Sequence, residues 1–528
     1  MQLITLTGNK EENYYQLGLK DRENCHEIFK SIFALIKSTN TLTNQIKNIS
    51  SGIVFKKNIK SFDLVKAYAE GLKKSESEVT SFLVTPDIIS GLTSIYPNIP
   101  RALFGCSSYF YQNNHDSLSH FRILDFPLGD SYTAQERFIK YAFKGEQQYC
   151  AVSTAGFPFP SITSMNQSGL SFALHQKFGH VFNPQGSPIF EIMENLVTNS
   201  KSIDDVINQL SNITSISSWG IYVGSQKENK VLSIDLLGKQ NVYEVKEAGE
   251  AIDLYFNNQF INQNINTDSI QPLNFSKYCH DRSEDAKKRI KKLTNFSDKD
   301  VLKALTKVNG PNDKNNVITP STILSCVMNP TEGKLTYNDG AGPRTYQKSI
   351  QQITEIWSSP KELSSKNSAT KIKNAGEVYY NHLINAQLSW DRKDYHQAVH
   401  HSQLAVDHST KKQVSPSFFA NVYISLSTSD KSMLKSCLKN FKDLLPMMNG
   451  VFSDYCKLFI FRLEKICFSN YEKPSFKNKY VERVFLFEEK VPSLVFKKII
   501  KELTSPRLDL QDIIFLHPLQ NDDTRVSL

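Results

Sequence analysis

Residues 104–125 read Phe104-Gly105-Cys106-Ser107-Ser108-Tyr109-Phe110-Tyr111, then a polar run from Gln112 to Ser117, then Leu118-Ser119-His120-Phe121-Arg122-Ile123-Leu124-Asp125. Ser107 to Tyr111 alternates small polar with aromatic residues, the period-two pattern of a strand held between two layers. The Asn113-Asn114-His115-Asp116 run supplies turn residues, and His120 to Phe126 reads as the returning strand. The stretch is therefore predicted to be a β-hairpin. It carries Arg122 and Asp125 back beside Cys106, collecting a thiol, a guanidinium and a carboxylate in one small volume.

The chemistry starts at the Gly105-Cys106 bond, where glycine leaves the carbonyl unhindered. Breaking that bond makes Cys106 a new N-terminus. Its α-amine, with a reference pKa of about 7.7–8.0, can serve as base for its own thiol, so no histidine is required. A cation beside the sulfur favours the thiolate, the part Arg122 is expected to play, and Asp125 is expected to orient the amine. The alternative reading is a buried structural cysteine on a strand, a common fate of free cysteine.

Gly105-Cys106-Ser107-Ser108, with Arg122-Ile123-Leu124-Asp125 following, resembles the choloylglycine-hydrolase and penicillin-acyltransferase branch of the Ntn hydrolases. Acid ceramidase and N-acylethanolamine amidase are related to that branch. The family text is Cys-Thr-Ser and Gly-Arg-Asn-Leu-Asp, so the charged residues match and their neighbours differ. A second match is Met165-Asn166-Gln167-Ser168-Gly169-Leu170, which also reads physically as a hairpin with Asn166 in its turn. The family carries an asparagine near the oxyanion a few residues later; His175 or Gln176 stands there, and with Asn166 these are the candidates for orienting substrate or oxyanion. Asn257-Asn258-Gln259-Phe260 is similar to the family's Thr-Asn-His-Phe, which makes Asn258 the candidate oxyanion donor. The family's Ser-x-x-Arg at a helix start has no direct counterpart, because Ser283 is followed by Glu284, Asp285 and Ala286. Arg282 and Arg289 are the nearest arginines, and neither is assigned.

The resemblance covers roughly residues 2–350. It implies an α+β fold, the four-layer αββα sandwich, and acyl transfer from linear amides or acyl thioesters through a thioester on Cys106. Residues 1–105 would be a pro-segment that stays bound after cleavage, and 106–357 the catalytic part. Residues 358–374 change composition and read as a linker. Residues 375–528 read as a helical module whose first two helices, 375–390 and 394–409, have the spacing of a tetratricopeptide-type hairpin. Far upstream, one long helix is expected from Glu11 to Lys37 on its apolar periodicity.

The 528-residue chain exceeds one ordinary core. Its net charge of +9 is spread along lysine-rich helices, a pattern of solvated faces. No motif turns that charge into a claim on nucleic acid, and no zinc spacing or other cofactor signature is present. Eight cysteines lie scattered without framework spacing, as in a reducing compartment. The first residues lack the pattern of a signal peptide, and no window has the length of a membrane helix. The expectation is a cytoplasmic enzyme acting on a small acyl substrate without a cofactor. The alternative is a catalytically retired Ntn scaffold whose residues 375–528 bind a protein partner.

Overall fold

The computed structural model describes residues 1–29, 59–93, 105–112, 118–125, 132, 134–177, 179, 181–247, 254–256, 261, 275–294, 296–306, 317–318, 322–339, 349–364, 382, 385–386, 389–390, 394–408, 414–448, 450–468, 471–493 and 495–496. The hairpin forms as expected. Strand β2 (Gly105–Gln112) pairs antiparallel with β3 (Leu118–Asp125), with Gly105 opposite Asp125, Cys106 opposite Leu124 and Ser108 opposite Arg122. Both are central in a seven-stranded sheet whose order is β11 (Leu254–Phe256), β2, β3, β12 (Thr322–Asn329), β13 (Lys334–Asp339), β14 (Ser349–Thr354) and β15 (Lys361–Ser364).

A second, eight-stranded sheet runs β1 (Gln2–Gly8), β4 (Glu136–Phe143), β5 (Tyr149–Thr154), β6 (Thr163–Asn166), β7 (Leu170–Gln176), β8 (Ser218–Ser225), β9 (Lys230–Leu237) and β10 (Gln240–Glu247). β1 lies parallel to β4 at the edge, and the other neighbours are antiparallel. The two sheets stack face to face, and strand alternation decides what meets between them. Cys106, Ser108 and Phe110 of β2, and His120, Arg122 and Leu124 of β3, point toward β7 and β8. Tyr109, Tyr111, Phe121 and Ile123 point the other way, into a core shared with α6 (Phe275–Ile290) and α7 (Asp298–Leu305).

The outer face of the eight-stranded sheet is covered by α1 (Lys10–Asp21), α2 (Phe62–Leu72), α3 (Glu76–Thr93), α4 (Ile189–Asn199) and α5 (Ile203–Leu210). The layers are thus α-β-β-α, as the resemblance implied. Helices α1 and α2 cross at Gly18 and Gly71. A Cβ on either would lie 2.3 Å from the Tyr68 carbonyl oxygen or 2.2 Å from that of Tyr15, so only glycine allows the approach.

The long helix expected from Glu11 onward stops at Asp21. Periodicity continues beyond it, but Asp21 is drawn into a buried ion pair with Arg137, and its carboxylate also accepts from Tyr68 Oη (2.5 Å) and Gly156 N (3.2 Å). Residues 22–24 turn around that anchor before the chain resumes helix at 26–29. The expected linker also begins too early, because β15 extends the sheet to Ser364.

The C-terminal region is helical: α8 (Tyr395–Asp407), α9 (Val414–Ser427), α10 (Lys431–Leu444), α11 (Gly450–Cys467) and α12 (Lys479–Glu489). They share a separate apolar core that includes Phe418, Phe441, Phe459 and Phe461. Most of the first helix of the expected hairpin, 375–390, lies outside the described residues.

Candidate active site

The hairpin delivers the expected thiol and guanidinium to one another. Arg122 Nη2 donates to Cys106 Sγ at 3.0 Å and to the Leu174 carbonyl at 2.6 Å. Arg122 Nη1 lies 2.7 Å from His175 Nε2. Cys106 is 1 % exposed and Arg122 fully buried. Two effects oppose each other at the sulfur. Burial pushes the Cys106 thiol up, while the charge and hydrogen bond of Arg122 pull it back.

Asp125 sits on the other face of β3, in register with Gly105. Its carboxylate accepts from Arg282 Nη1 and from Thr322 Oγ1, each at 2.5 Å. Arg282 is buried in α6, and its Nε donates to the Val317 carbonyl at 2.5 Å. Of the two unassigned arginines, Arg282 is therefore the one that reaches the site. Arg289 pairs with Asp285 at 2.7 Å on the same helix. Three residues before Arg282 the sequence has Cys279 and not serine, which is why a search for Ser-x-x-Arg does not find Arg282.

The remaining candidates separate. Asn166 does not face the thiol. Its Nδ2 donates to the carbonyls of Val197 (3.0 Å) and Ser200 (2.9 Å) at the end of α4, and its Oδ1 accepts from Leu170 N (3.1 Å). The bond from Leu170 N spans the β6–β7 turn, and the other two tie that turn to the end of α4. His175 and Gln176 are both buried on β7, and only His175 is on the inter-sheet face. Asn258 lies outside the described residues. The described chain on either side is held, by β11 pairing with Ser108 to Phe110 and by Ile261 N donating to Asp235 at 2.6 Å. Among the described residues no group of three or more His, Cys, Asp or Glu side chains could hold a metal, and no helix is long and apolar enough to cross a membrane.

Residues 129–342 match the family model of acyl-coenzyme A:6-aminopenicillanic acid acyl-transferase. The matched segment contains Asn166, His175, Gln176, Asn258 and Arg282 and begins after Cys106, Arg122 and Asp125. No curated protein matches the chain. Among solved structures, an N-acylethanolamine-hydrolyzing acid amidase orthologue from Caenorhabditis elegans is similar at 19% identity, with a TM-score of 0.33, over 43% of this chain and 93% of that one.

Proposed function

We propose that this chain, an Ntn hydrolase of the acyl-transferase type by its match over residues 129–342, cleaves itself at Gly105-Cys106 and then works as an N-terminal-cysteine amidase or acyltransferase. The observation that carries the reading is the 3.0 Å contact from Arg122 Nη2 to Cys106 Sγ. A charge-assisted hydrogen bond to sulfur in a buried site favours the anion it faces.

In the first step Cys106 Sγ attacks the Gly105 carbonyl carbon. The Gly105–Cys106 C–N bond breaks as the nitrogen takes the thiol proton, and water then hydrolyses the resulting thioester. The freed α-amine becomes the base. It accepts the thiol proton as Sγ attacks a linear amide or acyl thioester, and returns it to the leaving group. The acyl group then rests as a thioester on Cys106 until water or an amine removes it. Arg122 steadies the thiolate. Asp125, held by Arg282 and Thr322 opposite Gly105, is the carboxylate assigned to the new amine. Asn258 is assigned as oxyanion donor, a role worth on the order of 100–1000-fold in rate.

The segment 1–105 is taken to remain bound. It supplies β1 to the eight-stranded sheet and the buried Asp21 to Arg137, so its release would uncover core. The same reading has the protein in the cytoplasm; recruitment of a protein partner by the C-terminal helices belongs to the alternative, a retired scaffold.

Intact-mass spectrometry of the purified protein tests the reading. The expected result is two fragments split before Cys106, and a Cys106→Ala chain that stays whole. A wild-type chain that remains intact, with Cys106 labelling no faster than its other cysteines, would instead describe a retired scaffold.

A further inference from the structure

We propose that His175 is a positioning residue, which aims the Arg122 guanidinium at the Cys106 sulfur. This rests on the reading of Cys106 as the nucleophile. His175 projects from β7 across the sandwich toward β2 and β3. Its Nε2 lies 2.7 Å from Arg122 Nη1 and 2.9 Å from Ser108 Oγ. A guanidinium has donors only and keeps its proton. Nε2 is therefore the lone-pair nitrogen, and the ring carries its proton on Nδ1. The nitrogen that meets the site accepts, so it is not the oxyanion donor that the resemblance suggested for this position.

The carbonyl of Leu174, the preceding residue on the same strand, takes Arg122 Nη2 at 2.6 Å. Two consecutive residues of one central strand thus hold both arms of a planar fork. With the fork so fixed, Nη2 faces Sγ at 3.0 Å. Removing the imidazole leaves Nη1 without this acceptor and lets the fork turn about the remaining bond.

The ring is itself braced. Tyr222 of β8 meets it edge-on, with centroids 4.5 Å apart. Behind Tyr222, Lys177 Nζ donates to its hydroxyl at 2.7 Å and pairs with Asp235 at 3.0 Å. Gly220, paired with His175 across β7 and β8, makes the room: a Cβ there would lie 2.4 Å from Lys177 Cε. Lys177 and Asp235 offset one another, as do Arg282 and Asp125 on the far face of β3. Among the described residues, the charge that meets the sulfur through a direct hydrogen bond is that of Arg122, and its direction is what His175 controls.

The experiment is the pH dependence of iodoacetamide labelling at Cys106, followed by peptide mass spectrometry on the full chain. His175→Ala is expected to raise the apparent thiol pKa by about one unit, slowing labelling at neutral pH about tenfold. His175→Gln, which keeps an acceptor, should stay within about threefold of wild type. Arg122→Ala should reproduce the His175→Ala profile, and the double variant should be no slower than Arg122→Ala alone. If His175→Ala does not fold, His175→Leu against His175→Gln makes the same contrast. A profile unchanged by loss of the imidazole, or effects that multiply in the double variant, overturns the proposal. A wild-type Cys106 that labels no faster than buried Cys150 refutes the enzyme reading instead, so the two failures are distinct.

Discussion

Replacing Arg282 by alanine gives the most direct test of how the site is held. Asp125 is fully buried and Arg282 is 4 % exposed. The substitution removes the 2.5 Å bond to Asp125 and the bond to the Val317 carbonyl. It leaves a buried carboxylate with Thr322 as its hydroxyl donor. Breaking a buried ion pair from one side costs about 3–5 kcal/mol, mostly because the remaining charge is stranded. At about 2 °C per kcal/mol for a chain of this size, the melting temperature should fall by roughly 6–10 °C. The measurements are thermal and urea denaturation followed by circular dichroism, in a Cys106→Ala background so that chain cleavage cannot differ between variants. Asp125→Ala should cost a similar amount, since it strands the guanidinium. The double variant strands neither charge, so its cost should fall short of the sum by about 2 kcal/mol or more. Single costs below about 1 kcal/mol, or costs that add within about 0.5 kcal/mol, would refute the account of Asp125 and Arg282 as one buried unit.

Two further outcomes are expected. Burial raises Asp87 to about 6 and Glu191 to about 7. Groups raised on folding stabilise the native state below their unfolded pKa of about 4 and lose that contribution as pH rises through the folded value. Urea midpoints should therefore fall between pH 4.5 and 7.5, and Asp87→Asn should flatten the slope while adding a constant offset for its lost bond to Ile189 N; parallel curves for the two proteins would count against this. Gly18→Ala and Gly71→Ala should each destabilise by about 1–3 kcal/mol or more, because the added carbon meets backbone rather than a movable side chain; a neutral result in thermal melts would show that the helices can part without cost.

The hairpin was legible because its information is local. Alternation, turn residues and strand pairing together bring Arg122 to Cys106, and no distant residue is needed. The same logic placed Asp125 beside Cys106, whereas the register sets it opposite Gly105 on the other face of β3. What local pattern could not supply was the partner of Asp125, which arrives on α6 from 157 residues away and carries no motif of its own. Nor could it show the role of His175. Strand alternation gives the face of β7 that the ring occupies, but the guanidinium opposite depends on how two sheets stack. The overlong first helix failed for a related reason, since a buried Asp21–Arg137 pair overrides apolar periodicity. Lys361-Glu362-Leu363-Ser364 lacks the alternation of a strand and pairs because β14 offers an edge.

Strand parity explains how one short hairpin can carry both an acid-binding and a thiol-activating arginine site without mutual quenching. Arg122 and Asp125 are three residues apart on β3, an odd number, so their side chains leave opposite faces. Had the spacing been two or four, the carboxylate would share the inter-sheet face with Arg122 and compete with Cys106 for the guanidinium. As built, Asp125 takes its arginine from α6, beyond the sheet. Its effect on the thiol is to push it up, and that of Arg282 is to pull it down, so the two oppose one another at the sulfur. Arg122 is left to act on Cys106 through a direct bond, with its fork turned by β7. Moving the acid by one position, through an insertion between Arg122 and Asp125, would therefore cost more thiol reactivity than deleting the acid outright. The labelling profile of Cys106 in the two variants distinguishes these outcomes, and equal or reversed losses would show that parity is incidental.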